Sequence, residues 1–331
     1  MQESIQKHCD NIQKLSDRLE QLGGVPDTVV HNNEWLYMLQ EETRHSLSIE
    51  GYFATEQELK LILSGKKTGP EILNYFRIAQ SMYDLGLQYH QEQDLRLDLA
   101  TIRHIHSELF RELTQDRGQF RQGRITILGA RVKPPEFDVE EHVRAFVQVT
   151  RHLLEQEPLL LALARSHALF ESIHPFRDGN GRTGRIILNY LAVSKGLPPL
   201  IIKGTEQEAR DTYYHALESA DVGFHDGFPV PSKQSILQAL DLGNWEPLVE
   251  LFAQALTPQL HTLLALAVEA KEPLMPLSDL SGLLDVKVST LRKWVERDQL
   301  VTLKRNGKHF SHPLLVMSTS APKHAPDRLD E

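Results

Sequence analysis

Hydrophobic side chains recur every three to four residues along most of the chain, the spacing that places them on one face of an α-helix. Residues 5–22 have such a face and end at Gly23 and Gly24, since glycine commonly follows the last helical residue. The spacing therefore predicts a mainly α fold. The further predicted helices cover approximately residues 33–50, 55–64, 70–92, 97–113, 139–156, 158–172, 182–195, 206–220 and 245–268.

Helix-end signals support several of these boundaries. Thr55 is followed three residues later by Glu58, which is the pattern of a capping box at a helix start. Pro70 is well placed to occupy the first turn of its helix. Pro258 falls inside the last predicted helix, and because proline lacks a backbone N–H it is expected to kink or split that helix.

The helical spacing stops in residues 118–135, which contain several glycines and a Pro-Pro pair. Between them lie Arg124, Ile125, Thr126 and Ile127, where charged or polar residues alternate with β-branched isoleucines. Alternation over a β-branched run predicts a short strand or hairpin.

The overall charge narrows the possible functions. The 331 residues include 45 acidic and 36 basic side chains, a formal net charge of −9. A protein that coats nucleic acid with its whole surface would carry the opposite excess. Cys9 is the only cysteine, so neither an intrachain disulfide nor a cysteine-rich zinc site can form.

The expected location is the cytoplasm, without membrane attachment. The amino-terminal residues 1–14 lack the apolar core of a signal peptide. Apolar runs such as residues 158–164 are too short to span a bilayer.

The stretch HPFRDGNGRTGR, residues 174–185, carries the strongest chemical signal. Gly179 and Gly181 allow a sharp bend in which backbone N–H groups face a ligand. A loop that leads into a helix amino terminus binds anions readily. Arg182 and Arg185 lie on one side of the first helical turn, where the helix dipole is already positive, so two cations there indicate a polyanionic ligand.

Two further residues of this stretch suit phosphate chemistry. The carboxylate of Asp178 would repel a phosphate unless a divalent cation lies between them, and Mg²⁺ typically combines one or two carboxylates with phosphate oxygens. A neutral His174 is suited to accept a proton from an attacking hydroxyl. The structural alternative, a glycine-rich helix cap with solvated arginines, does not need a histidine and an aspartate in the same loop.

This stretch resembles the signature of the Fic-domain family, His-x-Phe-x-Asp/Glu-Gly-Asn-Gly-Arg-x-x-Arg, at every specified position. The resemblance covers about residues 90–260 and implies an all-helical core that moves AMP from ATP to a protein hydroxyl. It implies that His174 is the base and that Asp178 holds Mg²⁺. The implied phosphate-binding residues are Gly179, Asn180, Gly181, Arg182 and Arg185.

The same resemblance gives roles to two other segments. The predicted strand Arg124–Ile127 is similar in position to the family's flap, which holds the target chain beside the site. Tyr213 and Tyr214 follow the core helices, and family members often have a tyrosine near the adenine. Ordinary packing of these two tyrosines is the alternative that the pattern leaves open.

The stretch SLSIEG, residues 46–51, resembles the family's inhibitory pattern Ser/Thr-x-x-x-Glu-Gly/Asn. Ser46 and Glu50 are four residues apart, so they share a helix face. The resemblance implies that the Glu50 carboxylate pairs with Arg185 and denies it to the γ-phosphate of ATP, while Ser46 orients the helix. Without the motif at residues 174–185, a surface serine and glutamate would be the simpler interpretation.

The carboxy-terminal residues 277–313 resemble a winged helix-turn-helix. Two short helical patterns are separated by a turn near Asp285, and Asn306-Gly307 predicts a type I′ hairpin. Residues 271–310 contain eight basic and five acidic side chains, a local positive excess that suits contact with DNA. A protein-interaction or dimerisation module with the same fold is the alternative.

The predicted division is a helical region with the inhibitory helix at residues 1–89, a Fic core at 90–260, the winged-helix module at 261–317 and a tail at 318–331.

Two rival functions stay open. A Fic enzyme can move another nucleotide or remove AMP, although Arg182 and Gly184 resemble the AMP-transferring pattern. A nucleotide-sensing regulator that binds DNA is the second rival. The sequence also leaves open the target protein and whether the chain forms a homodimer.

His104 and His106 form an isolated His-x-His pair. Residues two apart on a helix point in different directions, and one pair lacks the ligand number of a structural zinc site. Ordinary core and surface positions are therefore expected for them.

Overall fold

The computed structural model describes residues 2–25, 33–63 and 69–317, so Gly65 and the predicted tail at 318–331 lie outside the described residues. The mainly α fold is confirmed. The α-helices of the described residues are α1 Glu3–Gln21, α2 Asn33–Ile49, α3 Glu56–Leu63, α4 Pro70–Glu92, α5 Leu99–Leu109, α6 Val139–Gln156, α7 Leu159–Ile173, α8 Asn180–Val193, α9 Gln207–Ala220, α10 Lys233–Leu240, α11 Glu246–Glu269, α12 Leu277–Leu284 and α13 Val288–Glu296. The strands are β1 Met275–Pro276, β2 Leu303–Arg305 and β3 Lys308–Ser311.

The chain forms two compact units. The first comprises Met1–Gln13 and Pro26–Leu256, and the second comprises Lys14–Val25 and Thr257–Glu331. The division of the chain after residues 89, 260 and 317 stays a prediction.

Helices α7 and α8 form the centre of the first unit. α7 packs against α6 and α8, and α8 also packs against α4. Nearly every residue of α7 and α8 is buried, including polar residues of both helices. The two helices are joined by residues 174–179, so the motif lies between two buried helices.

The helix-end signals have different outcomes. The Thr55 backbone N–H donates to Glu58 Oε2 at 2.9 Å, and the Glu58 N–H donates to Thr55 Oγ1 at 3.2 Å, so the capping box is present. Pro70 is the first residue of α4. The split expected at Pro258 is wrong, because α11 is one helix with this proline inside it, whereas the alternative of a kink stays a prediction. The flanking side chains Leu256 and Leu260 are buried.

The predicted strand at residues 124–127 is also wrong. Arg124, Ile125, Thr126 and Ile127 pair with no strand among the described residues, and a turn follows in which the Ala130 N–H donates to the Ile127 carbonyl at 3.2 Å. The alternating pattern gives these residues the propensity for a strand, but a strand also needs a partner for its backbone groups. The segment is therefore an open loop.

The second unit contains two short helices and a small sheet. Its strands are antiparallel in the order β1-β3-β2, with Leu303 opposite Phe310. The hairpin turns at Asn306 and Gly307, whose φ angles are 48° and 75°, as a type I′ turn requires. A small core holds these elements together, consisting of Leu277, Leu280, Leu284, Leu291 and Leu300.

Helix α11 passes a membrane-span test based on length and apolar composition alone, and among the described residues it is the one helix that does. Half of its most apolar 18-residue window is buried within the protein. A buried core helix passes the same test, so the composition of α11 does not distinguish the two.

Candidate active site

A cavity of about 580 Å³ in the first unit brings together segments that are far apart in the sequence. Its walls include the end of α2, the loop after residue 123, the junction of α7 and α8, and helix α9. The polar residues on its wall include Glu50, Thr126, Glu171, His174, Arg177, Arg185, Asp211, Tyr213 and Tyr214.

The loop between α7 and α8 is shaped by backbone conformation and by one amide side chain. His174 and Gly179 have φ angles of 51° and 75°, which turn the chain sharply at both ends of the loop. Asn180 Oδ1 accepts from the Phe176 N–H at 2.8 Å, and Asn180 Nδ2 donates to the Phe176 carbonyl at 2.9 Å. Because the Asn180 amide is used within the loop, this residue shapes the site through the backbone.

His106 packs against the same loop and hydrogen-bonds to it. Its ring stacks on Phe176 with centroids 3.8 Å apart. Its Nδ1 accepts from the Gly118 N–H at 2.8 Å, so Nε2 carries the proton and donates to the Asp178 carbonyl at 3.1 Å. Burial lowers the pKa of His106 to about 4, which keeps the ring neutral, while His104 is exposed.

His174 has the protonation pattern of a general base. Its Nδ1 lies 3.1 Å from the Glu171 carbonyl, which can only accept, so Nδ1 carries the proton and Nε2 is the basic nitrogen. Burial lowers the pKa of His174 below its ordinary value. The imidazole beside the cavity is therefore neutral at physiological pH.

Arg185 is buried and held by the end of α2. Its Nη2 lies 2.7 Å from Glu50 Oε1, and its Nε donates to Ser46 Oγ at 2.7 Å. Nη2 also donates to the Ser46 carbonyl at 3.0 Å. Burial raises the pKa of Glu50, but the attraction and hydrogen bond of Arg185 outweigh it and hold that pKa below its ordinary value. Glu50 is therefore ionised at neutral pH.

The Glu50 carboxylate also lies against the start of α8. A β-carbon at Gly181 would collide with Glu50 Oε1. The N–H groups in the first turn of a helix have no partner within the helix, and they attract negative charge. A carboxylate thus lies at the helix amino terminus where an anionic ligand would bind.

On its core side, Ser46 is hydrogen-bonded to Tyr75, which in turn contacts Glu42. The Tyr75 hydroxyl lies 2.7 Å from Ser46 Oγ and 2.7 Å from Glu42 Oε1, with all three side chains buried. Burial raises the pKa of Glu42 to about 7. Ser46 is therefore fixed from the core side as well as by Arg185.

Arg182 and Asp178 lie on the other side of the loop. The Arg182 guanidinium is buried between the rings of Tyr52 and Phe110, at 5.2 Å and 4.9 Å from their centroids. The Asp178 side chain is 74% exposed. Its Oδ1 accepts from the Gly179 N–H at 2.6 Å and lies 3.5 Å from Arg182 Nη2.

Glu171 is a second carboxyl group on the cavity wall. Burial raises its pKa to about 8, so it is mostly protonated at neutral pH. The absence of a side chain at Gly184 makes room for it, since a β-carbon there would collide with Glu171 Oε1. With Glu171 mostly neutral, Glu50 is the carboxylate that balances Arg185.

The two tyrosines differ in environment. Tyr213 is buried, and its hydroxyl forms a 2.7 Å hydrogen bond with His167 Nε2. Tyr214 is 48% exposed, and its hydroxyl donates to the Ile49 carbonyl at 3.2 Å. Both border the cavity, and a contact with adenine stays a prediction.

The open loop forms the outer wall of the cavity. Ile125 and Ile127 are half-buried, whereas Arg124 and Thr126 are exposed. Leu128 at the tip is 95% exposed. Residues 125–128 therefore lie on the wall of the same cavity as His174.

A family model described as Fic/DOC family matches residues 96–192, which include the loop just described. Residues 96–192 therefore form a Fic domain.

Proteins similar to this chain include a "Probable protein adenylyltransferase" of Aquifex aeolicus. It is 29% identical over 287 residues, which are 82% of this chain and 84% of that protein. The "Protein adenylyltransferase Fic" of Drosophila erecta is 28% identical over 235 residues, 66% of this chain and 46% of that protein. The Fic-domain chain therefore spans less than half the length of the Drosophila relative.

Solved structures show the same fold. A Fic domain containing signaling protein from Bacteroides thetaiotaomicron has a TM-score of 0.61 at 20% identity and covers 78% of this chain and 98% of its own. A Fic family protein from Desulfovibrio desulfuricans has a TM-score of 0.56 at 17% identity, with coverage of 94% and 96%.

The Fic domain gathers most of the residues that the sequence indicates. His174, Arg185, Glu50, Ile125, Thr126 and Ile127 border one cavity, whereas Arg124 lies outside it. Asp178 lies in the adjoining loop and Arg182 in the first turn of α8. Sequence patterns indicated no functional role for Glu171, Tyr75 or Arg121. For Glu171, the local signal was the glycine at position 184, because a residue without a side chain leaves room for a bulky neighbour. Tyr75 contacts Ser46, 29 residues away, and Arg121 contacts the His174 carbonyl, 53 residues away, so local sequence does not indicate either contact.

Proposed function

We propose that this chain is a protein adenylyltransferase that moves AMP from ATP to a Ser, Thr or Tyr hydroxyl of a target protein and of itself, and that Glu50 holds it inactive. The observation that carries the proposal is the Glu50 carboxylate, which lies 2.7 Å from Arg185 and against the start of α8. The names of the Aquifex and Drosophila relatives support the reaction.

The proposed transfer is a displacement at the α-phosphorus of ATP. The target oxygen forms a bond to phosphorus, the bond to the β-phosphate oxygen breaks, and pyrophosphate leaves. The proton of the target hydroxyl passes to Nε2 of His174, which is the basic nitrogen because Nδ1 faces the Glu171 carbonyl. The start of α8 and Arg182 are suited to hold the negative charge that accompanies the phosphates.

Glu50 would inhibit the enzyme by competing with phosphate. Arg185 has its Nε on Ser46 and its Nη2 on Ser46 and Glu50, so the γ-phosphate would have to replace the carboxylate. While Glu50 stays in place, ATP would bind in a pose that does not align the α-phosphorus with the target. Inhibition would therefore act on nucleotide geometry and leave His174 untouched.

Mg²⁺ is the proposed cofactor, and Asp178 is its proposed ligand. Asp178 is 74% exposed beside the positively charged loop, so its carboxylate is accessible to a hydrated ion. One carboxylate suits an ion that completes its coordination with phosphate oxygens and water. When bound, the ion would neutralise charge on the phosphates.

Replacing Asp178 with alanine should abolish the effect of Mg²⁺ on ATP affinity. The reason is that the loop would lose its only carboxylate. The measurement is calorimetric titration of ATP into Asp178→Ala protein at several Mg²⁺ concentrations. Asp211→Ala, which removes an exposed carboxylate from the cavity wall, is the matched control and should keep the Mg²⁺ dependence. An unchanged dependence in Asp178→Ala would exclude this ligand.

The direct test of the reaction is incubation of the protein in a cell lysate with ATP, UTP or GTP labelled on the α-phosphate. Labelled protein bands with ATP alone support AMP transfer. Labelling by UTP or GTP would favour a Fic enzyme that uses another nucleotide. Loss of label from a previously modified protein would favour AMP removal.

Exposed basic side chains favour DNA as a ligand of the second unit. Lys287, Arg292 and Lys293 are exposed on or beside α13, and Lys304 and Lys308 are exposed on the hairpin. A helix followed by a basic hairpin suits binding to a DNA groove and its phosphates. We propose this binding as a second activity, separate from the chemistry of the first unit.

The full-length protein should shift a DNA duplex at about 50 mM salt and much less at about 200 mM, because phosphate contacts release counterions. The double change Arg292→Glu with Lys293→Glu should abolish the shift. Lys7→Glu with Lys14→Glu alters the same charge on α1 and should not. A protein that leaves DNA unshifted at low salt would indicate an interaction module.

A further inference from the structure

The loop at residues 122–134, which we call the flap, is attached to the motif by one side chain. Arg121 is buried, with 4% of its surface exposed. Its Nη1 donates to the Gly123 carbonyl at 2.6 Å, at the beginning of the flap, and its Nη2 donates to the Pro135 carbonyl at 2.8 Å, just after its end. One guanidinium is therefore hydrogen-bonded to both ends of the flap.

The same guanidinium contacts the catalytic end of α7. Arg121 Nε donates to the His174 carbonyl at 2.7 Å, and Nη2 donates to the Ile173 carbonyl at 3.1 Å. The backbone N–H of Arg121 donates to the Pro175 carbonyl at 2.8 Å. These bonds join the flap ends directly to the backbone of His174.

No carboxylate pairs with Arg121 among residues 2–25, 33–63 and 69–317. Burial lowers its pKa to about 10, so it remains charged at neutral pH. A buried charge is costly unless hydrogen bonds satisfy it, and here backbone carbonyls supply them. The planar guanidinium carries five donors on three nitrogens in a fixed fork, whereas an ammonium group carries three donors on one nitrogen and cannot reach the same four carbonyls.

We propose that Arg121 is a positioning residue that fixes the flap relative to His174 and so determines where a target hydroxyl meets the base. Among the described residues the flap pairs with no strand. Its two ends are held by the side-chain bonds of Arg121, and within it the Lys133 N–H donates to the Phe224 carbonyl at 3.2 Å. The catalytic consequence rests on the proposed AMP transfer. The attachment of the flap does not, and it can be tested without any activity.

The first test measures the flap alone. Arg121→Lys keeps the positive charge but removes the forked donors of the guanidinium. Arg165→Lys is the matched control. Arg165 is another buried arginine, bonded to Glu157 and Asp241. Trypsin should cleave after Arg124 and Arg131 about tenfold faster in Arg121→Lys, because lost charged hydrogen bonds allow local opening. Cleavage sites and rates are read by mass spectrometry.

The second test measures chemistry in the Glu50→Gly protein. Adding Arg121→Lys should lower self-labelling from α-labelled ATP by about 100-fold, since a displacement near 1 Å has that effect on transfer. ATP affinity should change less than about twofold, because the side-chain hydrogen bonds of Arg121 go to the carbonyls of residues 123, 135, 173 and 174, all of which precede α8. Arg165→Lys should change neither quantity beyond its effect on thermal stability.

Three outcomes would overturn the proposal: flap cleavage no faster in Arg121→Lys than in Arg165→Lys, self-labelling unchanged by Arg121→Lys, or ATP affinity lost together with labelling. If Glu50→Gly labels neither itself nor any lysate protein, the proposed function fails, and the trypsin rates still decide whether Arg121 holds the flap.

Discussion

Replacing Glu50 with glycine should raise self-labelling with α-labelled ATP by about 10- to 100-fold over the unaltered protein. The expected size follows from the loss of a charge-assisted hydrogen bond, which contributes about 1.5–3 kcal/mol. The substitution removes the carboxylate 2.7 Å from Arg185 and leaves His174 and the loop unchanged. Most substitutions beside an active site lower activity, so an increase discriminates between interpretations.

Two companion variants separate charge from loss of structure. Glu50→Gln keeps the shape of the side chain and removes its charge, so its activity should lie between those of the unaltered protein and Glu50→Gly. Glu50→Gly combined with Arg185→Ala should be inactive again, because the released arginine is the group that productive binding requires. Unfolding at the end of α2 cannot produce a gain followed by a loss.

The labelling rate of Glu50→Gly can also contradict inhibition by Glu50. If Glu50→Gly labels itself and lysate proteins no faster than the unaltered protein, the Glu50–Arg185 pair is structural. The inhibitory interpretation of residues 46–51 would then be abandoned.

Replacing His174 with alanine in the Glu50→Gly protein should lower transfer by about 100- to 10,000-fold, the usual effect of removing a general base. ATP affinity should change less than about twofold, since the imidazole acts on the target hydroxyl. His104→Ala removes an exposed histidine and should label at the parent rate. The measurements are self-labelling rates and calorimetric titration with ATP.

The pH dependence gives the same assignment a second test. A base must be neutral to accept a proton, and burial lowers the pKa of His174 below its ordinary value of 6.5. Transfer should therefore stay constant as the pH falls to 6.5 and decline only below it. A decline centred above pH 6.5, or a residual activity of His174→Ala at the parent rate, would assign the base elsewhere.

The sequence predicted those parts of the fold that depend on neighbouring residues. α4 begins at Pro70 as expected, and α6 and α7 match the hydrophobic spacing within one residue. The motif at residues 174–185 was recognisable because its chemistry lies within twelve consecutive positions. Ser46 and Glu50 became recognisable only through the resemblance that the motif established.

The parts that could not be predicted depend on distant partners. Arg124–Ile127 has the pattern of a strand, but the absence of a pairing strand is a property of the fold. Arg121 is one arginine among many in the sequence, and its carbonyl partners include residues 52 and 53 positions away. Pro258 was expected to kink or split a helix, and the helix is not split. The burial of surrounding side chains such as Leu256 and Leu260 is not visible in local propensity.

The double hydrogen bond between Asn180 and Phe176, together with the His106 contact, keeps the phosphate loop assembled before any nucleotide arrives. Under the proposed function, nucleotide binding would require little ordering of the loop, and the equilibrium that controls activity would be the position of the Glu50 carboxylate. Where a competent state is populated for only a fraction of the time, the apparent affinity falls by that fraction. The output of the enzyme would then be set by how often Glu50 leaves Arg185, so any partner that binds α2 in its displaced position would act as an activator without approaching the catalytic residues.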